Sequence, residues 1–123
     1  MARRHEALDC PGCPVEVALE MIGGKWKGSI LFHLATGEKR HSQLRRAMGH
    51  VSQRILTKAL RELEADGIVA RSVVPTTPPQ VSYALSPTGE TLREALAALA
   101  RWGGDMMAAR AAASPERLPE AAE

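Results

Sequence analysis

A chain of 123 residues is long enough for one domain with its own core, and 45% apolar residues mark it as globular rather than disordered. Aromatics make up only 3%, so aliphatic side chains and Met must fill that core, and no run of about 18 apolar residues is present to span a bilayer. The formal net charge of +2 excludes neither acidic nor basic partners until the charges are located along the chain.

In chain order, residues 1–13 carry no periodicity and are expected to form a loose arm. The start, "MARRHEALDC", lacks the apolar stretch of a secretion signal, which points to the cytoplasm. Pro14 suits the first turn of a helix that "VEVALEMI" continues to about Ile22, where Gly23 and Gly24 end it. "KWKGSILFHLA" predicts a second helix with Trp26, Ile30, Leu31 and Leu34 on its apolar side, closed by Gly37. "HSQLRRAM" predicts a short third helix capped by Ser42 and terminated by Gly49. "SQRILTKALRELEADG" has Ser52 as N-cap and Gly67 as stop. At about 100° per residue, Ile55, Leu56, Ala59, Leu60 and Leu63 share one arc, while Gln53, Arg54, Thr57, Lys58 and Arg61 share the opposite one. The period then changes. "IVARSVV" and "VSYAL" are rich in β-branched residues and predict a hairpin whose loop is "PTTPPQ". Ser86 and Pro87 open a long helix through "TGETLREALAALARW", which Gly103 and Gly104 are expected to break or bend, and residues 114–123 are expected to fray. Nothing repeats, and no second domain is expected.

Four helices, a hairpin and a helix make a mainly α chain with a small β-hairpin. The short helix, tight turn, two-faced helix and hairpin together predict a winged helix-turn-helix over residues 14–86, followed by a terminal helix over 87–113.

The charges follow the same plan. Residues 39–61 hold seven Lys or Arg and no acid; without them the chain has 9 bases against 14 acids, a net of −5. A solvated face ordinarily mixes signs, because opposite charges at i, i+4 help and like charges hurt. The helix after Ser52 also carries its charge in reverse of what its macrodipole favours, with Arg54 in the first turn and Glu62, Glu64 and Asp66 at the end. Each such placement costs roughly 0.3–1 kcal/mol, which an anion against the N-terminal half would offset. Double-stranded DNA is such an anion. Gln53, Arg54, Thr57 and Lys58 have the reach and chemistry to read base edges in the major groove. Arg61, Arg45, Arg46 and Ser42 are better placed as phosphate clamps. The wing tip, including Pro78, Pro79 and Gln80, carries no Lys or Arg and is expected to contribute modestly, with Arg71 helping from its strand.

The segments "CPVE", "IGGKW", "SQRILTKALRELEADGIVAR" and "PPQVSYALSPTG", with Trp102 near the end, resemble the HxlR family of winged-helix transcriptional regulators, relatives of the MarR group. The resemblance covers residues 13–102. It implies a homodimer held largely by the terminal helices, two recognition helices on a pseudo-palindrome, and activation or repression of transcription. By matched position it carries Ser52, Gln53, Arg54, Thr57 and Lys58 over as DNA contacts, together with the Pro78, Pro79 wing. Some members of the family sense oxidants or electrophiles through a cysteine just ahead of the first helix, the position of Cys13. The resemblance thus implies an oxidant or small-molecule effector. Cys10, which makes "CPGC", is an addition to the pattern, so a disulfide of Cys13 would need Cys10 or a second subunit.

Other readings stay open for the cysteines. A helix N-terminus lowers a thiol pKa, which favours reactivity at Cys13, while Asp9 opposes it at Cys10. Cys13 could instead pack as a small apolar residue, or the pair could bind zinc with His5 and one more ligand, although the spacing fits no standard site. A thioredoxin-like enzyme needs its C-x-x-C after a strand, and none precedes Cys10. With no Gly-rich phosphate loop and no nucleophile–base arrangement, neither an enzyme nor a bound cofactor or metal is expected. His33, His41 and His50 read as surface or capping residues, Met106 and Met107 as dimer packing, and Trp26 and Trp102 as core or interface anchors. The competing class is a winged-helix module that binds proteins rather than DNA.

Overall fold

A computed structural model describes residues 12–113 of the chain. Among them the helices are α1 (Pro14–Ile22), α2 (Lys27–Leu34), α3 (His41–Met48), α4 (Gln53–Ala65), α5 (Pro87–Glu90) and α6 (Arg93–Ala113). The strands are β1 (Lys39–Arg40), β2 (Val69–Val74) and β3 (Gln80–Leu85). Two compact units divide between Thr91 and Leu92.

The first unit is built around α2. Its Ile30, Leu31 and Leu34 are buried, and it packs on α3, α4 and β3. Leu44 of α3, Val51 of the turn, and Leu56, Leu60 and Leu63 of α4 close the same core, and Ile68, Val69, Tyr83 and Leu85 floor it from the sheet. Each such aliphatic side chain contributes roughly 1.5–3 kcal/mol on burial. The core is aliphatic with one tyrosine, as the 3% aromatic content requires.

The predicted hairpin exists, with Val69 opposite Leu85 and Val74 opposite Gln80, so Gln80 belongs to β3 rather than to the loop. It is not alone. The two residues of β1 pair with β3, Lys39 opposite Tyr83 and Arg40 opposite Ser82, giving an antiparallel sheet ordered β1-β3-β2. That pairing also moves the cap of α3. Arg40, still extended, is the N-cap, and its backbone N–H donates to Gln43 Oε1 at 2.8 Å. Ser42, expected to cap, lies within the first turn.

Other boundaries shift for local reasons. The second helix begins at Lys27, with Trp26 as its N-cap and Lys25 Nζ 5.1 Å from the indole centroid. Ile55 is 45% exposed, because the buried stripe of α4 is narrower than the apolar arc and centres on Leu56, Ala59, Leu60 and Leu63. The long terminal helix starts at Arg93, after the single turn of α5. Gly103 and Gly104 do not break it. Two glycines cost about 1 kcal/mol each, and the Ala-, Leu-, Arg- and Met-rich flanks favour helix.

The Ser86, Pro87, Thr88, Gly89 segment ties the sheet to the end of α4. Ser86 N–H donates to the Ile68 carbonyl at 3.0 Å, and its hydroxyl donates to the Gly67 carbonyl and accepts from Gly89 N–H at 3.0 Å. Gly89 is buried, and a Cβ there would overlap the Ile68 carbonyl oxygen.

Candidate nucleic-acid interface

The exposed face of the first unit begins with the turn between α3 and α4. Gly49 takes φ +84, a left-handed conformation that L side chains rarely adopt, and so permits the sharp reversal. Val51 plugs the turn into the core. Arg45 Nε donates to the Val51 carbonyl at 3.3 Å, which steadies the turn while leaving the residue exposed. Ser52 then caps α4, its hydroxyl accepting from Ile55 N–H at 3.1 Å, as the sequence predicted.

With Leu56, Ala59, Leu60 and Leu63 inward, Gln53, Arg54, Lys58 and Arg61 are presented to solvent on the other side of α4. Arg40, Arg45 and Arg46 are exposed as well, and Lys39 is half-buried, its Nζ donating to Thr36 Oγ1 at 2.8 Å. Among the described residues, none of the seven cations between Lys39 and Arg61 is in an ion pair with a carboxylate. Glu62 of α4 is ion-paired in the other direction: its Oε1 lies 2.7 Å from Nζ of the buried Lys27 on α2. That pair fixes the back of α4 to the core and removes one acid from competition with its cationic front.

A groove of about 820 Å³ runs between α3 and the wing. Arg40, Ser42, Arg45, Arg46 and Gln53 line one side, and residues 76–81, including Pro78, Pro79 and Gln80, line the other. Apart from Ser52, the cap of α4, and Thr57, the site residues expected from the sequence fall into two groups. Ser42, Arg45, Arg46, Gln53, Pro78, Pro79 and Gln80 share the groove; Arg54, Lys58 and Arg61 stand on the open face of α4 beside it.

Thr57 differs from both groups. It is half-buried, and its Oγ1 shares a 2.9 Å hydrogen bond with His41 Nε2. His41, read from sequence as a surface or capping residue, thus links the first turn of α3 to the middle of α4. No local signal marks a pair 16 positions apart. Burial first, and the Arg45 charge second, hold the His41 imidazole below its usual pKa of 6.5. The unfolded chain, with an ordinary imidazole, binds the proton first as pH falls. The stability linked to this group is therefore complete above about 6.5 and is lost as pH falls through the lowered folded value. Thermal melts should show the midpoint falling with acidification over that window, and His41→Gln should flatten the dependence.

Cys13 is exposed at the N-cap of α1. The backbone N–H of Glu16, and then that of Val15, hold its thiol below the usual range. Cys10 and His5 lie outside the described residues. Among the described residues no cluster of three or more His, Cys, Asp or Glu is placed to hold a metal, and no helix is long and apolar enough to cross a membrane.

A two-faced helix set on a tight turn, with an exposed cationic front and a β-wing beside it, defines a winged helix-turn-helix protein of the DNA-binding regulator class. The model of the HxlR-like helix-turn-helix family matches residues 21–111, and the chain belongs to that family of transcription regulators. Among its relatives are two HTH-type transcriptional regulators of Bacillus subtilis, themselves uncharacterized. YybR is 49% identical over 92 residues, 75% of this chain and 74% of that protein. YdeP is 46% identical over 99 residues, 80% of this chain and 77% of that protein. The solved structure of the redox regulator HypR in its oxidised form superposes with a TM-score of 0.72 at 47% identity, over 76% of this chain and 96% of that one. The reduced form of YodB from B. subtilis gives a TM-score of 0.65 at 34% identity, over 75% and 91%.

Proposed function

We propose that the chain is a homodimeric regulator that reads a pseudo-palindromic operator with α4 of each subunit, under control of the Cys13 thiol. The observation that carries the reading is the exposed cationic face of α3 and α4, which no carboxylate of the described residues neutralises. Duplex DNA supplies the missing charge. Gln53, Arg54 and Lys58 then meet base edges, Arg45, Arg46, Arg61 and Ser42 meet phosphates, and Pro78, Pro79 and Gln80 follow the backbone from the wing. Ser52 holds the first turn of α4 in place, and Thr57 is held against α3 by His41.

Self-association draws on α6. Leu99, Trp102 and Met106 follow helical spacing, and they are 49%, 63% and 39% exposed. Met107 adjoins them at 74%. A stripe of that composition favours burial against a like helix. In this reading residues 87–113 are the dimerisation segment and residues 14–86 the DNA-binding domain.

Redox control draws on the lowered pKa and exposure of Cys13 and on the likeness to HypR, itself a redox regulator. Oxidation would join the Cys13 thiol to Cys10 or to a cysteine of a second subunit, with two electrons and two protons passing to the oxidant. Selection from a random duplex pool, run with reduced and with oxidised protein, tests all three parts. The expected product is an inverted repeat with half-sites about one helical turn, roughly 10 base pairs, apart. Its enrichment should change on oxidation in the wild type and not in Cys13→Ser. No enrichment in either state would favour the protein-binding module instead.

A further inference from the structure

Resting on the reading of the chain as a duplex-DNA binder, we infer that the groove between α3 and the wing seats one sugar-phosphate strand. Arg40, on β1 and outside the helix-turn-helix, is one of that strand's phosphate ligands.

Three observations converge on Arg40. It lines the groove together with Arg45 and Arg46, so the cationic wall comes from a strand as well as a helix. Its backbone is fixed twice, by the β1–β3 ladder opposite Ser82 and by the N–H donated to Gln43 Oε1 at 2.8 Å. Yet its side chain is exposed and, among the described residues, in no ion pair. The fixed backbone limits the conformational entropy lost when the guanidinium meets an anion. Ser82 and, opposite it on β2, Ser72 continue the same cross-strand row with short side chains. The nearest acid in sequence, Glu38, accepts from the Ser72 hydroxyl at 3.4 Å rather than pairing with Arg40.

The opposite wall suits the rest of the strand. Residues 76–80 include no charged side chain, so nothing there repels phosphate. The Thr76 hydroxyl donates within the loop to the Pro78 carbonyl at 2.7 Å, leaving the Pro78 and Pro79 rings as apolar surface for deoxyribose. Charge on one wall and apolar rings on the other match a backbone that alternates phosphate and sugar. The strand in the groove would lie next to the one whose bases α4 reads, which extends the footprint beyond the two helices.

The test is fluorescence anisotropy of the full chain on a mixed-sequence duplex of about 30 base pairs, roughly three helical turns, across a salt series. Arg40→Ala should weaken binding and shallow the slope of log affinity against log salt by about 0.9 for each Arg40 engaged. Arg40→Lys should restore the slope. Lys25→Ala removes the same charge outside the groove and should leave it unchanged. Melting curves confirm folding, and Arg40→Gln, which keeps the side-chain stem, replaces the alanine variant should that one unfold. An unchanged slope in the Arg40 variants overturns the inference, as does an equal change in Lys25→Ala, which would mean long-range charge alone. A wild type that binds no duplex at any salt overturns the underlying reading and this inference with it.

Discussion

Replacing Arg54 with alanine is expected to erase most of the discrimination between a selected operator and mixed-sequence DNA. Arg54 stands exposed in the first turn of α4, where a recognition helix meets base edges, and no carboxylate of the described residues holds it. A bidentate contact to guanine discriminates by about 1–3 kcal/mol, roughly 5- to 150-fold at each half-site. Arg45→Ala should behave differently. Arg45 lies in the groove and braces the turn through the Val51 carbonyl, so its loss should weaken selected and mixed duplexes alike. Competition anisotropy with the two duplexes separates the outcomes. If both variants lowered discrimination equally, the division into base-reading and phosphate-holding residues would be wrong.

Leu60→Ala is expected to cost the fold about 2–5 kcal/mol, the usual cost of emptying a fully buried leucine site. Leu60 is 1% exposed, on the face of α4 opposite its cations. A single domain commonly has only about 5–15 kcal/mol of stability, so the denaturant midpoint should fall sharply. Ile55→Ala is the matched control. Ile55 lies in the same apolar arc by sequence, yet it is 45% exposed, and its truncation should change stability by about 0.5 kcal/mol or less. Equal losses would mean that α4 packs on a different face. The comparison also tests whether the cationic side truly points outward, because the two faces are complementary.

How much of this was legible depends on sequence distance. The two-faced α4 was readable because its cap, its period and its stop lie within 16 consecutive residues, and each acts locally. Its cationic front could be named residue by residue for the same reason. Features that depend on partners far along the chain were not readable. A two-residue strand has no period of its own, and β1 exists because Lys39 and Arg40 meet Tyr83 and Ser82. Once that pairing is known, Arg40 rather than Ser42 becomes the natural cap of α3. The His41–Thr57 and Lys27–Glu62 contacts join residues whose spacing follows no helical or strand repeat. Ile55 lies in the apolar arc but outside the core for a different reason: the buried stripe is set by how closely α2 and β2 can approach α4. The groove is the extreme case, since its lining joins residues 40–53 to the wing some thirty residues later, which the fold of the chain brings together. Arg40 was visible as a charge within a cationic run, and only that pairing shows which way it faces.

The most direct test is the salt dependence of duplex binding by the unmodified chain. An unneutralised cationic surface that engages six to ten phosphates should lose roughly a thousand- to a hundred-thousand-fold in affinity between about 50 and 200 mM salt, along a straight line in log–log form. Affinity that stayed level across that range, or no duplex binding even at the lowest salt, would contradict the account.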